Sequence, residues 1–390
     1  MVNLLTPPVR SALRAAAVST LLGSLLPRES RAENAVRYKY QDYQEMGGRI
    51  AVTVNSAGVE QDFGSSTHLK VEGVIDAIAG ATPNGQPAPA GSDQVPLSQL
   101  HERRKAWNAT LAQQIRAANV SVGVANSRES DYVSNGWSVN TLFDLNQKNT
   151  TLLAGVAGTD DDIKVFYQAN RAKKRTNDVI LGVTQLIDPQ TSVTLNVTWG
   201  RQRGYLADPY KLVQKNTEII SGVFLPLTFS ENRPGEREKW VAYAGLNRAF
   251  REAHGAIELS YRLYHDTYDT TAHTVDLAWF QHLGERWLLR PGARFYDQSA
   301  ADFYHYRLDG TTIAPAAGPP RPNGPFYSSD YRLSAMQTFT YGAKLIWNVT
   351  DTLQFDAAFE RYDMRGTDRV TPQSVYCRAN IVTVGARFAW

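Results

Sequence analysis

The sequence predicts an all-β fold: a transmembrane antiparallel up-and-down β-barrel of about 16 strands, with 14 to 18 as the range. Three observations predict it. Apolar and polar residues alternate with a period of two in segment after segment, which puts the two sets on opposite faces of an extended chain. Short connections alternate with long ones along the sequence. The run from Ala379 to Trp390 places Val382, Val384, Ala386, Phe388 and Trp390 on one face and ends on an aromatic residue.

Composition sets the outer limits. No run of eighteen apolar residues occurs in the 390, so a helical membrane span is excluded. The chain carries 19 Tyr and 8 Trp but only 4 Met and 1 Cys, which suits many exposed strands rather than packed helices. A single cysteine, Cys377, rules out an internal disulfide framework.

Residues 1–32 read as an export signal. Arg10 and Arg14 precede a small and apolar run, and Ser30 and Ala32 sit where a signal peptidase reads small residues, with cleavage expected after Ala32. Removing this segment takes Arg10, Arg14, Arg28 and Arg31 from the 41 basic residues and Glu29 from the 38 acidic ones, leaving 37 of each. The mature chain, 33–390, is therefore neutral and gives no sign of a nucleic-acid partner.

Residues 36–46 supply a first strand with Gly47 and Gly48 as its turn, and Ile50, Val52 and Val54 open the second. Farther on, Val193, Leu195, Val197 and Trp199 alternate with Thr194, Asn196 and Thr198, and Ile257, Leu259, Tyr261 and Leu263 alternate with Glu258, Ser260 and Arg262. Val275, Leu277 and Trp279 face away from Thr274 and Asp276. Leu353, Phe355, Ala357 and Phe359 face away from Gln354, Asp356 and Glu360. The strands are long, and Trp107, Trp137, Trp199, Trp240, Trp279, Trp287 and Trp347 fall near their ends, as the two interfacial belts of a membrane barrel require.

Connections are short at 62–65, 117–119, 147–149, 188–190, 251–253, 284–285 and 350–351. They are long at 80–101, 127–135, 159–171, 204–236, 299–330 and 365–377, with only 267–270 short among the second set. Outer-membrane barrels have short periplasmic turns and longer outer loops, and counting back from the last strand gives the even number.

The closing strand resembles that of Gram-negative outer-membrane barrels, in which a carboxy-terminal aromatic strand serves as the assembly signal; Phe388 and Trp390 take that place here. The runs SRESDYVS at 127–134, YLADPYK at 205–211, ENRPGER at 231–237, AHT at 272–274, RFYDQSAADFY at 294–304 and YSSDYRLSA at 327–335 resemble an uncharacterised Gram-negative bacterial family of predicted outer-membrane β-barrel proteins without assigned function. DAIAGATP at 76–83 extends the resemblance, with Ala79 where the family pattern has Ser. The resemblance implies the cell outer membrane and a barrel, and no reaction.

No catalytic motif emerges, and no enzyme activity or cofactor is expected. His273 with Asp276 and Ser260 can be drawn as a hydrolase triad, but a polar lumen makes such neighbours by chance, and the expected place of His273 is a hydrogen-bonded lumen position. Cys377 reads as an inert thiol near the outer rim. Asp160, Asp161 and Asp162 fall on an expected outer loop, either as a site for a hard divalent cation or as a solvated tip. Arg171, Lys173, Lys174 and Arg175 offer a site for lipopolysaccharide phosphates or form a solvated strand end.

The expected lumen lining is Glu258, Arg262, Asp276, Arg290, Arg294, Arg332, Lys344, Asp356, Glu360 and Arg387, a set of both signs. Loop residues Asp208, Tyr210, Lys211, Glu231, Arg233 and Arg237 are placed to narrow the mouth. The sequence thus points to a porin-like channel or transporter for small solutes. The alternative is a structural or partner-binding barrel with a closed lumen. Expected partners are outer-membrane lipid and lipopolysaccharide, the barrel-assembly machinery and an unknown small solute.

Overall fold

The computed structural model describes residues 34–316 and 319–390; the expected signal segment lies outside the described residues. Sixteen antiparallel strands close into one barrel, as the alternation predicts. In chain order they are β1 (Ala35–Glu45), β2 (Ala51–Phe63), β3 (Thr67–Pro83), β4 (Leu97–Ile115), β5 (Ala118–Arg128), β6 (Tyr132–Leu145), β7 (Thr150–Ile163), β8 (Ala172–Asp188) and β9 (Thr191–Gly204). After a separate hairpin, β10 (Leu212–Ile220) and β11 (Val223–Ser230), come β12 (Glu236–Phe250), β13 (Gly255–Asp266), β14 (Thr271–Leu283), β15 (Trp287–Gln298), β16 (Met336–Asn348), β17 (Leu353–Gly366) and β18 (Arg378–Ala389). Each wall strand pairs with its sequence neighbour, β9 with β12 across the hairpin, and β1 with β18 in unbroken register from Ala35 opposite Ala389 to Glu45 opposite Ala379. The wall formed by these sixteen strands therefore has no open backbone edge, the condition for a sheet to sit in hydrocarbon.

The outward face carries the apolar stripe. Val382, Val384, Phe388 and Trp390 are exposed there, as are Leu259, Tyr261 and Leu263 on β13. On β12, Trp240 and Phe250 share the outward face ten residues apart, which at strand rise and barrel tilt is about 25 Å, the height of an outer-membrane apolar band. The ring near the short turns is reinforced by stacked pairs: Trp287 on Trp347, with centroids 5.3 Å apart, and Phe388 on Trp390, 6.1 Å apart.

The seven connections expected to be short at one end are short, and they lie at the end where β1 starts and β18 stops; the turns at 46–50 and 267–270 are also short but lie at the other rim. The other end departs from expectation in several places. The connection expected over 80–101 is only 84–96, and that expected over 299–330 extends over 299–335. The connection expected over 127–135 is only residues 129–131, and that expected over 159–171 is 164–171, so Asp160, Asp161 and Asp162 belong to β7 rather than to a loop tip. The strands run on because the ladder does not end at the membrane: outward Asp160 pairs with Arg175 and Asp162 with Lys173 across β7 and β8, while inward Asp161 accepts from Ser134 at 2.6 Å. The 204–236 segment holds the hairpin, and Arg237 lies in β12, not in a loop.

Deleting Phe388–Trp390 removes the outermost rungs of the β1–β18 seam and one stacked pair of the lower ring. The truncated protein is expected to be absent from the outer-membrane fraction and to lack a heat-modifiable folded band on semi-native gels. Wild-type amounts of that band would show that the seam closes without them.

Candidate functional site

Burial along the inward face divides the lumen into two zones. Near the loop end, Tyr43, Val52, Met336 and Tyr362 are each 1% exposed and pack with Val95, Tyr331, Val375 and Tyr376 brought in by loops. Toward the short turns on the same strands, Lys39 is exposed and Asp356, Glu360 and Arg387 are half-buried. The loops therefore fill the outer part of the barrel, and a polar vestibule lies beneath them.

The vestibule wall is braced by cross-strand ion pairs. Lys344 meets Asp356 at 3.0 Å, Arg290 meets Glu258 at 3.6 Å, and Arg294 pairs with Asp276. Past β18, on the neighbouring stretch of wall, Arg37 meets Glu60 at 2.7 Å, and Lys70 reaches Glu60 and Glu72 at 3.7 and 3.5 Å. Arg262 also faces inward, beside Arg294 and Asp276. Nine of the ten residues expected to line the lumen thus stand on the inward face of β13 to β18. The exception is Arg332. It lies in a one-turn 3-10 segment, Tyr331–Leu333, within the long connection of residues 299–335, because a strand ends at Gln298 and the next begins only at Met336.

That displacement puts Arg332 at the centre of the plug. Its guanidinium reaches Asp330 at 2.5 Å and Asp208 at 2.6 Å, while Arg233 reaches Asp330 at 2.8 Å and Glu231 at 2.7 Å. Ser328 donates to Glu231 at 2.5 Å, and the backbone N–H of Asp208 donates to the same carboxylate. Lys211 donates to the Pro83 carbonyl and lies over the Tyr331 ring, 5.6 Å from its centroid. Asp208, Lys211, Glu231, Arg233 and Asp330 are each no more than 6% exposed. Three acids and three bases, drawn from three stretches of loop, thus form one neutral buried cluster. The other expected loop residues sit around it. Tyr210 donates to Asp131 at 2.6 Å, and Arg237, on β12, donates to Asp266 at 2.6 Å with its guanidinium 4.5 Å from the Tyr268 centroid.

Burial pushes the carboxyls of Asp208 and Asp330 upward, but Arg332 beside both, with Arg233 beside Asp330, holds them well below the ordinary carboxylate range. Burial pushes the Lys211 ammonium down and Glu231 up. Burial also pushes the Cys377 thiol up; the sulfur lies 3.8 Å from the Tyr43 hydroxyl and is 1% exposed, an inert position. His273 is on the outward face, 2.7 Å from the Tyr261 hydroxyl, whereas Ser260 and Asp276 face inward, so the barrel wall divides the drawn triad.

The family described as Protein of unknown function (DUF3570) matches residues 10–172 and 165–375. The chain belongs to that family. No curated protein matches it. Among solved structures, it is similar to a bacterial polysaccharide outer membrane secretin, at 9% identity and a TM-score of 0.49, covering 93% of this chain and 100% of that one. It is similar to a loop-deleted OmpT, an outer membrane protein of Vibrio cholerae, at 9% identity and a TM-score of 0.43, covering 92% and 99%. It is also similar to a mutant of the ferric enterobactin receptor of Pseudomonas aeruginosa, at 13% identity and a TM-score of 0.44, covering 87% of this chain and 54% of the receptor. The chain spans about half the length of that receptor.

Sequence reading missed Asp330, which bridges the two arginines, and Asp76, 1% exposed and 2.5 Å from Arg104. Asp330 sits in the YSSDYRLSA run, but nothing in that run shows that 208 and 231 converge on it. Replacing Asp330 with Asn leaves Arg233 and Arg332 short of a counter-charge in a dry site, a loss of about 3–5 kcal/mol. The loops of D330N are expected to become sensitive to external protease while the barrel stays heat-modifiable, and an unchanged digestion pattern would show that the cluster does not hold the plug. Depressed carboxyls stabilise above their unfolded value and lose that contribution as pH falls through the folded one. Asp208 and Asp330 thus loosen the plug as pH drops below about 4, with Glu231, shifted the other way, working against them. The same digestion run from pH 7 to pH 3 should show cleavage only at the acid end.

Proposed function

We propose that the protein is an outer-membrane channel for small polar solutes, held shut on its outer side by its own loops. The carrying observation is the charged, half-buried vestibule wall directly beneath a packed plug. Charged side chains at this depth persist facing water or one another, and a wall of both signs beneath the plug gives a polar solute a path once the loops part. The outward apolar band of about 25 Å, with an aromatic ring near the short turns and Trp240 at its other border, supports the membrane location.

The location has a direct test. With Cys377 replaced by Ser, single cysteines at Gly235 or Asn323, both exposed at the loop end, should react with an impermeant thiol reagent on intact cells. One at exposed Pro189 should react only after the outer membrane is opened, and the opposite pattern would invert the barrel.

For function, planar-bilayer recordings should find the wild type mostly closed and D330N open far more of the time. In that open background, replacing Arg290 and Arg294 with Gln frees Glu258 and Asp276, so selectivity should shift toward cations. The shift should fade at high salt, where the screening length falls to about 3 Å at 1 M. If every variant is silent, the channel reading fails in favour of a closed, partner-binding barrel. One feature favours that second reading: the tip of the β10–β11 hairpin exposes Ile219, Ile220, Val223, Phe224 and Leu225.

A further inference from the structure

The four basic residues expected to meet lipid phosphates are already engaged. Lys173 and Arg175 pair with Asp162 and Asp160, Lys174 turns inward to Asp161 at 3.3 Å, and Arg171 donates to the carbonyls of Ser130 and Asp162. A different patch has no such partners. Arg103 and Lys105 on β4 and Arg128 on β5 are exposed on the outward face, and among the described residues none has an acid within ion-pair distance. Their cross-strand neighbours are apolar: Ala77 opposite Arg103, Ile75 opposite Lys105, Val133 opposite Arg128. Lys105 and Arg128 stand directly opposite each other in the β4–β5 register. Like charges so placed repel, and the arrangement becomes favourable when an anion sits between them.

The ground beside this patch is shaped. A groove of about 580 Å³ runs across the outward face of β1 to β5, with Lys105 and Arg128 at one end and Tyr38 and Trp107 as its rims. Ala57 and Gly73 form its floor, and a Cβ added at Gly73 would meet nothing within 4 Å. Trp107 is 49% exposed and lies two residues nearer the membrane centre than Lys105, as an interfacial anchor below a headgroup contact does.

We propose that Arg103, Lys105 and Arg128 bind the phosphate of an outer-leaflet lipid, a phosphorylated glycolipid whose acyl chain lies in the groove over Ala57 and Gly73. Guanidinium and ammonium groups together make charge-assisted bonds to phosphate, and they favour the phosphate of a net-anionic glycolipid over the phosphodiester of phosphatidylcholine, whose charge the attached choline cation offsets. The smooth floor takes a hydrocarbon chain. The assignment rests on the loop end facing outward.

The test uses the full-length barrel in phosphatidylcholine vesicles doped with lipid A, followed by detergent extraction and native mass spectrometry of what stays bound. Wild type should retain the phosphorylated lipid in preference to phosphatidylcholine. R103Q/K105Q/R128Q should lose that retention by about tenfold or more, while K173Q/R175Q should keep it. G73L, which fills open space and leaves all three cations, should also lose it, and excess inorganic phosphate should fail to displace the lipid from wild type. Heat-modifiability confirms that each variant is folded. Full retention by the triple variant or by G73L would overturn the proposal, and displacement by inorganic phosphate would reduce the site to one for a free anion. The assay reads bound lipid and not current, so its failure and a failure of the channel reading are separate results.

Discussion

Everything in this molecule follows from the need to pair every backbone N–H and C=O across a region without water. A sheet meets that need only by closing on itself, and here it closes through one seam, β1 against β18, joining segments more than three hundred residues apart. With β1 and β18 adjacent and antiparallel, the strand number is even, and both ends of the wall lie with the short turns. The long connections are then left at the other rim. Their position is a product of parity before it is a product of function.

The same closure creates an interior that the wall cannot fill. Near the short turns the inward side chains are charged and paired across strands, so water and counter-charge satisfy them together. Near the other rim the inward face turns apolar, with Val52, Val54, Ile78 and Ile381, and it meets loop residues such as Tyr331, Val375 and Tyr376. This change of lumen character along β1, β2 and β18 is what lets loops enter and stay. Once inside, their polar groups must pair with one another, and the Asp208 to Arg332 cluster is the result.

Wall residues were legible because strand periodicity is a one-dimensional signal. Glu258, Arg290, Arg294, Lys344 and Asp356 stand where a count of two places them. Arg332 was misplaced for the same reason: its run, YSSDYRLSA, alternates well enough to pass for strand, while its backbone makes a 3-10 turn begun by Asp330, whose carboxylate accepts from the Arg332 N–H. The loops read from sequence at 80–101, 127–135 and 159–171 are too long because polar residues read as loop, whereas past the membrane surface a ladder continues with charged side chains on both faces. The hairpin at 212–230 was hidden by its position between expected strands. The convergence of 208, 231 and 330 is set by how three loops fold in three dimensions, and no local pattern carries it.

The buried cluster also limits how the sequence can drift. Its three acids and three bases sum to zero, so any single change of charge leaves an ion stranded in a dry site. Asp208 and Arg332 are 124 positions apart in sequence and 2.6 Å apart in space. Divergence at this point must therefore proceed by compensated exchange, acid for base on one loop answered by base for acid on another. In related chains, then, correlated substitution between the 208–211, 231–233 and 328–332 stretches is the evolutionary trace of a plug, and independent drift at those positions is the trace of an open mouth.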